Sequence, residues 1–599
     1  MKNTVLFSQY EALQKTYQYY ASSLLTYSQT ISTDAKAPLT IAILSSDYFL
    51  HIDALYTLWQ QQDRPWHIVC IADDYQESRL ALNKWYATRQ TPCLQKLHEQ
   101  WALPLPGLHR IDIEPYRFSI NMLFYEDNTA WKQFVGQVHC FIVDKQEGLS
   151  EALRLSYPSP CFLAHSTQFT PLVEKVRYHQ LALVSEVQSS VAQNNYVFCT
   201  ATSKKPTITS RIEKGRKIAV IGAGVAGAGV AYALANRGWT VTVVDPIFAL
   251  PLDEALLRYS SGAVTPLLTA DDSHKARLSR AGILLARQRW QAIKHLANIH
   301  FCGTLELNRD KGHAKDLLEA VSTLNFPKEW VRLVSPEEAS DIAGIPVDQE
   351  GAYFPLAMQV APLQLRQALL QHPNIRCQSF TVTHIQKEDQ VYRLMGEENG
   401  TQKVLTETFP HIVVANAIES VTLLKQSGFD EKILKSGQRV NALTRLDSLH
   451  ALSGEVMIIP QHFVKGGPQC VIGGQGYYLP QQEGFCVMGS TYVHGDLSPK
   501  ISKKGQTIIW EKIPLTLPVT LEQLQESGEL KGRACVRAVV QGRMPVIGEL
   551  EHMRGIWLAC AYASHGMTWS SLAGEIIGAS LEGEPLPIER DLLWSIMPK

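Results

Sequence analysis

Three glycines in the middle of the chain have the spacing of a loop that binds a phosphorylated nucleotide. Gly222, Gly224 and Gly227 form the pattern Gly-x-Gly-x-x-Gly directly after an apolar run, Ile218–Ile221. In such a loop the first glycine permits a tight turn, the second lets the backbone approach a pyrophosphate, and the third lets the following helix pack closely on the strand. The N-terminus of that helix presents free N–H groups to the phosphates. The spacing therefore predicts a dinucleotide site.

An acidic residue follows the next apolar run. Residues 239–244 predict a second strand, and Asp245 comes directly after it. A carboxylate at this position accepts hydrogen bonds from ribose hydroxyls and repels a 2′-phosphate, which disfavours NADP. FAD and NAD share this fingerprint, but more than half of the chain follows Asp245, and this layout favours FAD because later segments can return to the cofactor. A membrane span over residues 218–236 is disfavoured by its four glycines.

Three later segments predict such a return. Residues 411–417 read as a buried strand ending in small residues, which let the backbone pass close to a ligand. Residues 532–548 carry Arg537 in an otherwise apolar setting. Residues 556–581 predict a strand, a turn and a helix starting at Thr568, whose positive dipole end could face the flavin. A histidine in that turn, His565, would lie near the flavin or face solvent.

The chain divides at a basic segment. Its 599 residues exceed one hydrophobic core, since single cores stop growing near about 250–300 residues. Residues 201–217 hold six basic residues against one acidic, which predicts an exposed linker between domains at 1–200 and 218–599. This strip is either a solvated connector or a docking site for a polyanion.

Apolar runs of strand length alternate with helical stretches in the first domain. Strands are predicted at residues 39–44, 66–71 and 139–144, and helices at 52–61 and 77–89. This alternation is typical of βαβ units and a parallel sheet. The sequence therefore predicts the α/β class for this domain, as it does for the dinucleotide-binding one.

Composition excludes several classes of protein. The formal charge of −1, from 56 basic and 57 acidic residues, argues against a protein that binds nucleic acid non-specifically through a generally basic surface. Eleven scattered cysteines include no C-x-x-C pair, so we predict neither a metal site nor a disulfide framework. The first thirty residues contain no secretory signal, so the expected location is the cytoplasm, without a membrane partner.

Taken together, these motifs resemble two related families. The C-terminal part resembles the glycine oxidase and D-amino acid oxidase superfamily of FAD amine oxidoreductases. The whole order of segments resembles the family of bifunctional tRNA 5-methylaminomethyl-2-thiouridine biosynthesis proteins, which join an N-terminal methyltransferase to a C-terminal FAD oxidoreductase. The matching segments are Leu103–Arg110, Phe118–Asp127, the strand ending at Asp144, the glycine fingerprint, Gly262–Val264, Pro266–Leu268, Gly437-Gln438, Val536-Arg537, Pro545, Gly548, Ser564 and Gly566.

The resemblance implies a fold and a reaction. It implies a Rossmann-like methyltransferase-type domain followed by an FAD-binding Rossmann-type domain with a mixed-sheet substrate subdomain. The FAD domain would oxidise the carboxymethylaminomethyl group on the wobble uridine of tRNA, and hydrolysis of the resulting imine would leave an aminomethyl group and glyoxylate. The first domain would then methylate that amine with S-adenosylmethionine.

Site residues follow from the same resemblance. Arg537 corresponds to the arginine that binds the substrate carboxylate, which suits a bidentate guanidinium; a structural ion pair is the alternative role. No general base is assigned, because a neutral amine can deliver hydride without one. The expected cofactor contacts are Gly222, Gly224, Gly227, Asp245, Gly262, Ala415, Ser564, Gly566 and Met567.

The sequence departs from the family in places. Where the methyl-donor loop should be glycine-rich, residues 45–49 read SSDYF, and of the catalytic Asp-Gly-Phe-Ala-Pro stretch only Asp144 remains. Asp73 or Asp74 could still hold a ribose. We interpret the first domain as a degenerate methyltransferase-like domain that holds tRNA or supports its partner domain. In the second domain, residues 257–260 replace the family's Ser-Gly-Asn stretch.

Two other functions stay open at this stage. One is an oxidase of a free amine such as glycine or sarcosine, and the other is a non-catalytic tRNA-binding flavoprotein. The additional domain and the basic linker favour the tRNA enzyme, because an oxidase of a free amino acid needs neither.

Overall fold

The computed structural model describes residues 2–31, 37–72, 74–125, 129–188, 196–203, 215–249, 260–307, 314–434, 436–513 and 515–598. The chain forms two compact units. The first comprises Met1–Glu213 with Ala579–Asp591, and the second comprises Lys214–Gly578 with Leu592–Lys599. Of the predicted linker, residues 201–203 end a strand and residues 204–214 lie outside the described part of the chain. The assignment of functional domains stays a prediction.

The first unit is built on an eight-stranded mixed sheet. Its five central strands are parallel and its edge strands antiparallel. The central strands are buried on both faces, which explains why they read as continuous apolar runs. Across the sheet the strands are Gly107–Glu114, Phe118–Phe124, Trp66–Ala72, Leu39–Leu44, Val138–Val143, Ser156–His165, Tyr196–Ser203 and Leu181–Gln188.

A segment near the C-terminus belongs to the first unit, which the sequence did not indicate. Arg590 donates to the carbonyl of Phe134 at 2.9 Å, and Leu586 N–H donates to Val135 O at 2.8 Å. The guanidinium of Arg110 donates to Pro585 O. These are backbone acceptors between distant parts of the chain, so no local pattern marks them.

The nucleotide-type sheet of the second unit has six strands. Five are parallel, and the last is antiparallel to its neighbour. Because the predicted α/β architecture is present in both units, the fold class is confirmed. Across the sheet the strands are Ile375–Gln378, Thr240–Val244, Lys217–Ile221, His411–Val414, Ile556–Cys560 and Val546–Glu549.

A nine-stranded sheet and three smaller sheets complete the second unit. The nine strands are Arg332–Val334, Gly351–Phe354, Thr304–Leu307, Val471–Gly473, Tyr477–Tyr478, Phe485–Gly489, His450–Pro460, Val493–His494 and Lys531–Val539. The smaller sheets consist of Gly262–Val264 with Met358–Val360 and Ile299–His300, of Thr381–Glu388 with Val391–Glu398 and Thr401–Phe409, and of Glu431–Ile433 with Arg439–Asn441.

The helices surround these sheets, and no helix within the described ranges is long and apolar enough to cross a membrane. In chain order they are Lys2–Ile31, Tyr48–Trp59, Tyr75–Thr88, Pro92–Glu99, Ala130–Gln133, Leu149–Leu153, Ser166–Tyr178, Val225–Ala235, His274–Trp290, Ala314–Leu324, Pro336–Ala343, Pro362–Leu370, Ser420–Gln426, Lys503–Glu511, Leu521–Glu526, Gly566–Glu582 and Arg590–Ile596.

Several predicted boundaries differ from the observed ones. The helices predicted at 52–61 and 77–89 are Tyr48–Trp59 and Tyr75–Thr88, and two further differences lie in the second unit. The strand expected over 411–417 ends at Val414, because Ala417 has a φ of +53° and begins a 3₁₀ turn. The helix expected from Thr568 begins at Gly566, because the carbonyl of His565 already accepts a hydrogen bond from Trp569 N–H at 3.0 Å.

Candidate active site

The glycine turn leaves no room for side chains at two of its three positions. A Cβ on Gly227 would lie 1.9 Å from the carbonyl oxygen of Gly222, so the helix and the turn touch there. Gly222 has a φ of +106°, and a Cβ on it would lie 2.6 Å from Ala415 O. Ala415 N–H in turn donates to Ile221 O at 2.8 Å. The turn is therefore closed on its inner side by backbone.

The middle glycine faces open space. A Cβ on Gly224 would meet no atom within 4 Å. Gly224 is also the N-cap of helix Val225–Ala235, and no side chain caps that helix. The first N–H groups of the helix and its positive dipole end are therefore available to an anion, as a pyrophosphate requires.

Asp245 supports the turn through the backbone. Its carboxylate accepts a hydrogen bond from Ala223 N–H at 2.7 Å and another from Ile247 N–H at 2.8 Å. A carboxylate has about four acceptor sites, so it can still receive a ribose hydroxyl. Asp245 thus fixes the loop conformation at the end of strand Thr240–Val244, in addition to its predicted contact with a ribose.

A cavity of about 950 Å³ extends from the start of helix Val225–Ala235. It lies at the upper end of the range for small-molecule sites, about 300–1,000 Å³. The structure brings five predicted site residues together in its lining, and these are Gly262, Arg537, Ser564, Gly566 and Met567. The other five, Gly222, Gly224, Gly227, Asp245 and Ala415, lie at the glycine turn and do not line the cavity.

Arg537 presents an unpaired guanidinium to this cavity. It lies in strand Lys531–Val539, opposite Leu452 of the neighbouring strand. Its Nη1 is buried and has no hydrogen-bond partner within the described ranges, where the side chain also forms no ion pair. Its Cζ is 5.4 Å from the ring centroid of Tyr492. The side chain as a whole is half-buried, and leaving the buried Nη1 without an acceptor is costly, so the geometry favours an anionic ligand.

Two further basic residues line the cavity. Arg533 lies on the same face of the strand as Arg537, and its Nη1 donates to Ser260 Oγ at 3.2 Å. Lys275 lies in the first turn of a helix, where burial, aided by the charge of Arg543, lowers its pKa. Neither residue belongs to the motifs recognised in the sequence. The alternation of side chains along a strand could have identified Arg533, which is four residues from Arg537.

His565 is neutral at physiological pH. Burial, together with the positive charges of Lys275 and Arg543, lowers its pKa to about 3. The side chain lines the cavity, which favours the interpretation that it lies beside the ligand. The turn around it is strained, since Ala561 and Ala563 have φ values of +59° and +50°, and such strain is concentrated at functional sites.

Family comparison identifies the cofactor of this site. The sequence profile of the DAO family, described as FAD dependent oxidoreductase, matches residues 217–580. The chain belongs to this family of FAD-dependent oxidoreductases. The match begins at the strand that precedes the glycine turn and includes the whole lining of the cavity. FAD, predicted from the fingerprint and the chain layout, is therefore confirmed as the cofactor.

Relatives of this oxidoreductase cover most of its length. It is 27% identical over 531 residues to the tRNA 5-methylaminomethyl-2-thiouridine biosynthesis bifunctional protein of Thiobacillus denitrificans, covering 84% of this chain and 79% of that protein. Identity to the protein of the same name from Cupriavidus metallidurans is 28% over 558 residues, covering 85% and 79%. The predicted resemblance is confirmed. Among solved structures, glycine oxidase from Geobacillus kaustophilus matches with a TM-score of 0.49 and 16% identity, covering 64% of this chain and 99% of that one.

The open space at Gly224 allows a test of where the FAD pyrophosphate binds. Gly224→Ala is expected to weaken FAD binding about tenfold, or 1.4 kcal/mol, because the methyl group would occupy that space. The apoprotein should unfold at an unchanged temperature, because the methyl group meets no protein atom. Gly227→Ala is the matched control and should lower both the affinity for FAD and the unfolding temperature of the apoprotein. Full flavin content in Gly224→Ala protein would contradict this placement.

The first unit holds a polar cluster where its parallel sheet reverses strand order. Ser45 and Asp144 follow the adjacent strands Leu39–Leu44 and Val138–Val143, and Ser45 Oγ donates to Asp144 Oδ2 at 2.9 Å. His51 Nε2 lies 2.8 Å from the same oxygen. Burial alone would raise the pKa of Asp144, but the hydrogen bonds from His51 and Ser45 and the charge of His51 lower it.

This cluster does not fit a methyl-donor site. Ligands of open α/β sheets bind where the strand order reverses. Here Ser45 and His51 are buried, and both contact Asp144 with a polar atom. The other ring nitrogen of His51, Nδ1, lies 3.0 Å from the hydroxyl of Tyr17. Asp74 caps helix Tyr75–Thr88 by accepting from Glu77 N–H at 2.8 Å. The other acidic candidate, at position 73, lies outside the described residues, as do residues 257–259.

We expect no binding of S-adenosylmethionine by the full chain. A site with a dissociation constant one hundredfold below the ligand concentration would stabilise its unit by about 2.7 kcal/mol. Equilibrium dialysis with labelled S-adenosylmethionine should therefore leave no excess on the protein side, and the unfolding temperature should not rise. One bound equivalent per chain would show that the cluster rearranges to admit the ligand.

Proposed function

We propose that this oxidoreductase acts on the carboxymethylaminomethyl group of the wobble uridine in tRNA. The substrate nitrogen carries a CH₂–COO⁻ group, and oxidation of that carbon–nitrogen bond gives an imine. Addition of water to the imine releases glyoxylate and leaves the 5-aminomethyl form of the uridine. Bound FAD supplies the two-electron oxidation. With this substrate, the protein would act in the cytoplasm.

The observation that carries this proposal is the unpaired guanidinium of Arg537. A substrate carboxylate would accept two parallel N–H bonds from it, which fixes both the position and the orientation of the adjacent carbon. The second cation in the strand, Arg533, adds positive potential on the same wall. A neutral His565 adds no further positive charge near the site and cannot protonate the substrate amine at pH 7.

The choice of nucleoside follows from relatives that align with most of this chain. The name of these relatives assigns them to the biosynthesis of tRNA 5-methylaminomethyl-2-thiouridine. For this chain we propose the oxidative step without the methyl transfer. Support comes from Ser45 and His51, which use their polar atoms on Asp144 where a methyl donor would be expected. The first unit would then contribute to tRNA binding or to stability.

Anaerobic reduction of the flavin tests the proposal. The substrate is tRNA purified from cells that lack this protein, in which the uridine should carry the carboxymethylaminomethyl group. We expect the oxidised flavin absorbance to disappear, and nucleoside analysis should find the aminomethyl form and one glyoxylate per site. Flavin reduction by glycine or sarcosine at a comparable rate would favour a free-amine oxidase, and no reduction by any of them would favour a non-catalytic flavoprotein.

A further inference from the structure

Exposed apolar side chains are concentrated in one loop of the second unit. Fourteen large hydrophobic residues of the described chain are exposed, and four of them lie between positions 492 and 501. They are Tyr492, Val493, Leu497 and Ile501, with exposed fractions between 45% and 64%. Contiguous exposed apolar residues mark interaction sites more often than single ones do. We refer to residues 491–502 as the 491–502 loop.

One buried residue holds both ends of this loop. Glu455 is only 9% exposed, and its N–H donates to Thr491 Oγ1 at 2.8 Å, while Thr491 N–H donates to Glu455 O at 3.2 Å. At the other end the Glu455 carboxylate accepts from Ser502 N–H at 2.8 Å and from Ser502 Oγ at 3.1 Å. Compact loops with their ends held together are frequently functional. The apolar residues are thus presented on a supported loop.

The loop also presents positive charge. Lys500, Lys503 and Lys504 are exposed and form no ion pair within the described ranges. Two of them occupy the first turn of helix Lys503–Glu511, where the helix dipole disfavours cations. The acid within the loop, Asp496, accepts from Ser498 N–H at 2.9 Å and from Ser453 Oγ at 3.2 Å. Lysines placed against the dipole indicate a requirement other than local stability.

The 491–502 loop is continuous with the cavity. Its strand residues pair with strand His450–Pro460, which pairs on its other side with the strand that carries Arg537. Leu452 therefore lies opposite His494 on one side and opposite Arg537 on the other. Tyr492 lines the cavity and is 49% exposed, so its ring is accessible from outside. A molecule held on the loop therefore has direct access to the Arg537 guanidinium.

We propose that the 491–502 loop, with Lys503 and Lys504, docks the single-stranded RNA loop that carries the substrate uridine. An aromatic platform stacks an unpaired base, and the lysines bind the adjacent phosphates, which is the usual combination for single-stranded nucleic acid. This inference rests on the proposed function and assigns its macromolecular contact. The test must therefore separate RNA docking from oxidation at the cavity.

The variant L497S/K503E/K504E changes the loop without touching the cavity lining. Glutamates in the first turn of a helix are favoured by its dipole, so the fold should be retained. With tRNA from cells lacking this protein, we expect kcat/KM for flavin reduction to fall about tenfold to one hundredfold. The slope of log kcat/KM against log salt concentration should become shallower by about two. With the free nucleoside 5-carboxymethylaminomethyluridine, kcat/KM should stay within about twofold of the wild-type value.

A matched charge reversal elsewhere provides the control. K387E/K425E reverses two exposed lysines on the separate three-stranded sheet and its neighbouring helix, and its activity on tRNA should equal that of the wild type. Equal loss in this control, equal loss on the free nucleoside, or unchanged activity of the loop variant on tRNA would each overturn the docking proposal. Failure of the wild type to oxidise either substrate would instead overturn the proposed function.

Discussion

Arg537→Ala protein is expected to keep its flavin and to lose about one hundredfold to one thousandfold in kcat/KM for the carboxylate-bearing substrate. Removing one partner of a desolvated charge pair costs about 2–5 kcal/mol, and each 1.4 kcal/mol is tenfold. Arg537→Lys should recover only part of the rate, because a point charge cannot form two parallel hydrogen bonds. Anaerobic stopped-flow measurement of flavin reduction gives the rate constants.

Two controls separate substrate binding from structure. An amine that lacks the carboxylate should be oxidised equally by wild-type and Arg537→Ala protein, because the missing contact is the carboxylate's. Arg533→Ala removes a cation from the same strand face and should cost less, since Arg533 is already bonded to Ser260. Loss of flavin or a lower unfolding temperature in Arg537→Ala protein would instead assign the residue a structural role.

Glu575→Gln is expected to lower the free energy of unfolding of the second unit by about 3–5 kcal/mol. Glu575 is 1% exposed and accepts hydrogen bonds from Arg289 at 2.9 and 3.0 Å and from Arg237 at 3.0 Å. Glu575 lies in helix Gly566–Glu582, Arg289 in helix His274–Trp290, and Arg237 in the turn after helix Val225–Ala235. Loss of the carboxylate removes the negative charge that both buried guanidinium groups contact. Urea unfolding of the apoprotein measures the difference.

The pH dependence of that loss follows from the pKa of Glu575. Burial alone would raise this pKa, but the charges of Arg237 and Arg289 outweigh burial and hold it well below 4.5. Its stabilisation is therefore fully present above the unfolded-state pKa and is lost only as the pH falls toward the folded-state value. The deficit of Glu575→Gln should be constant between about pH 6 and 8.

The same substitution at an exposed ion pair provides the control. Glu551 is 86% exposed and lies 3.5 Å from Lys432, so Glu551→Gln should cost less than about 1 kcal/mol. An equally small effect at both glutamates would show that the two buried arginines find solvent or other acceptors.

Local patterns were sufficient for the cofactor half of the site. The glycine spacing, the flanking strands and Asp245 lie within thirty residues. The role of each glycine, in the turn, at the pyrophosphate or in helix packing, follows from its position in this short motif. The predicted strands at 39–44, 66–71 and 139–144 agree with the observed ones within one residue at each end. These strands are short continuous apolar runs, as expected for strands buried on both faces, so their length and flanking residues were sufficient to predict them.

The remaining predicted site residues, both cofactor contacts and the substrate arginine, required the fold. Gly262 lies hundreds of residues before Arg537 in the sequence, and Gly566 lies tens of residues after it. The three line one cavity only because distant strands pair and pack. The missing counter-ion of Arg537 is equally a property of its surroundings.

The sequence by itself therefore determined the α/β class and the glycine turn with its acid, and the assignment of Arg537 to the substrate carboxylate stays a prediction that the family resemblance implies. The tertiary structure alone decided that Arg533, Lys275 and His565 share the cavity, and that the segment Ala579–Asp591 belongs to the first unit. The physical reason is the distance along the chain over which each kind of interaction acts. Turn geometry and strand periodicity depend on neighbours along the chain, whereas burial, charge pairing and the pKa of a side chain depend on whatever the fold places beside it.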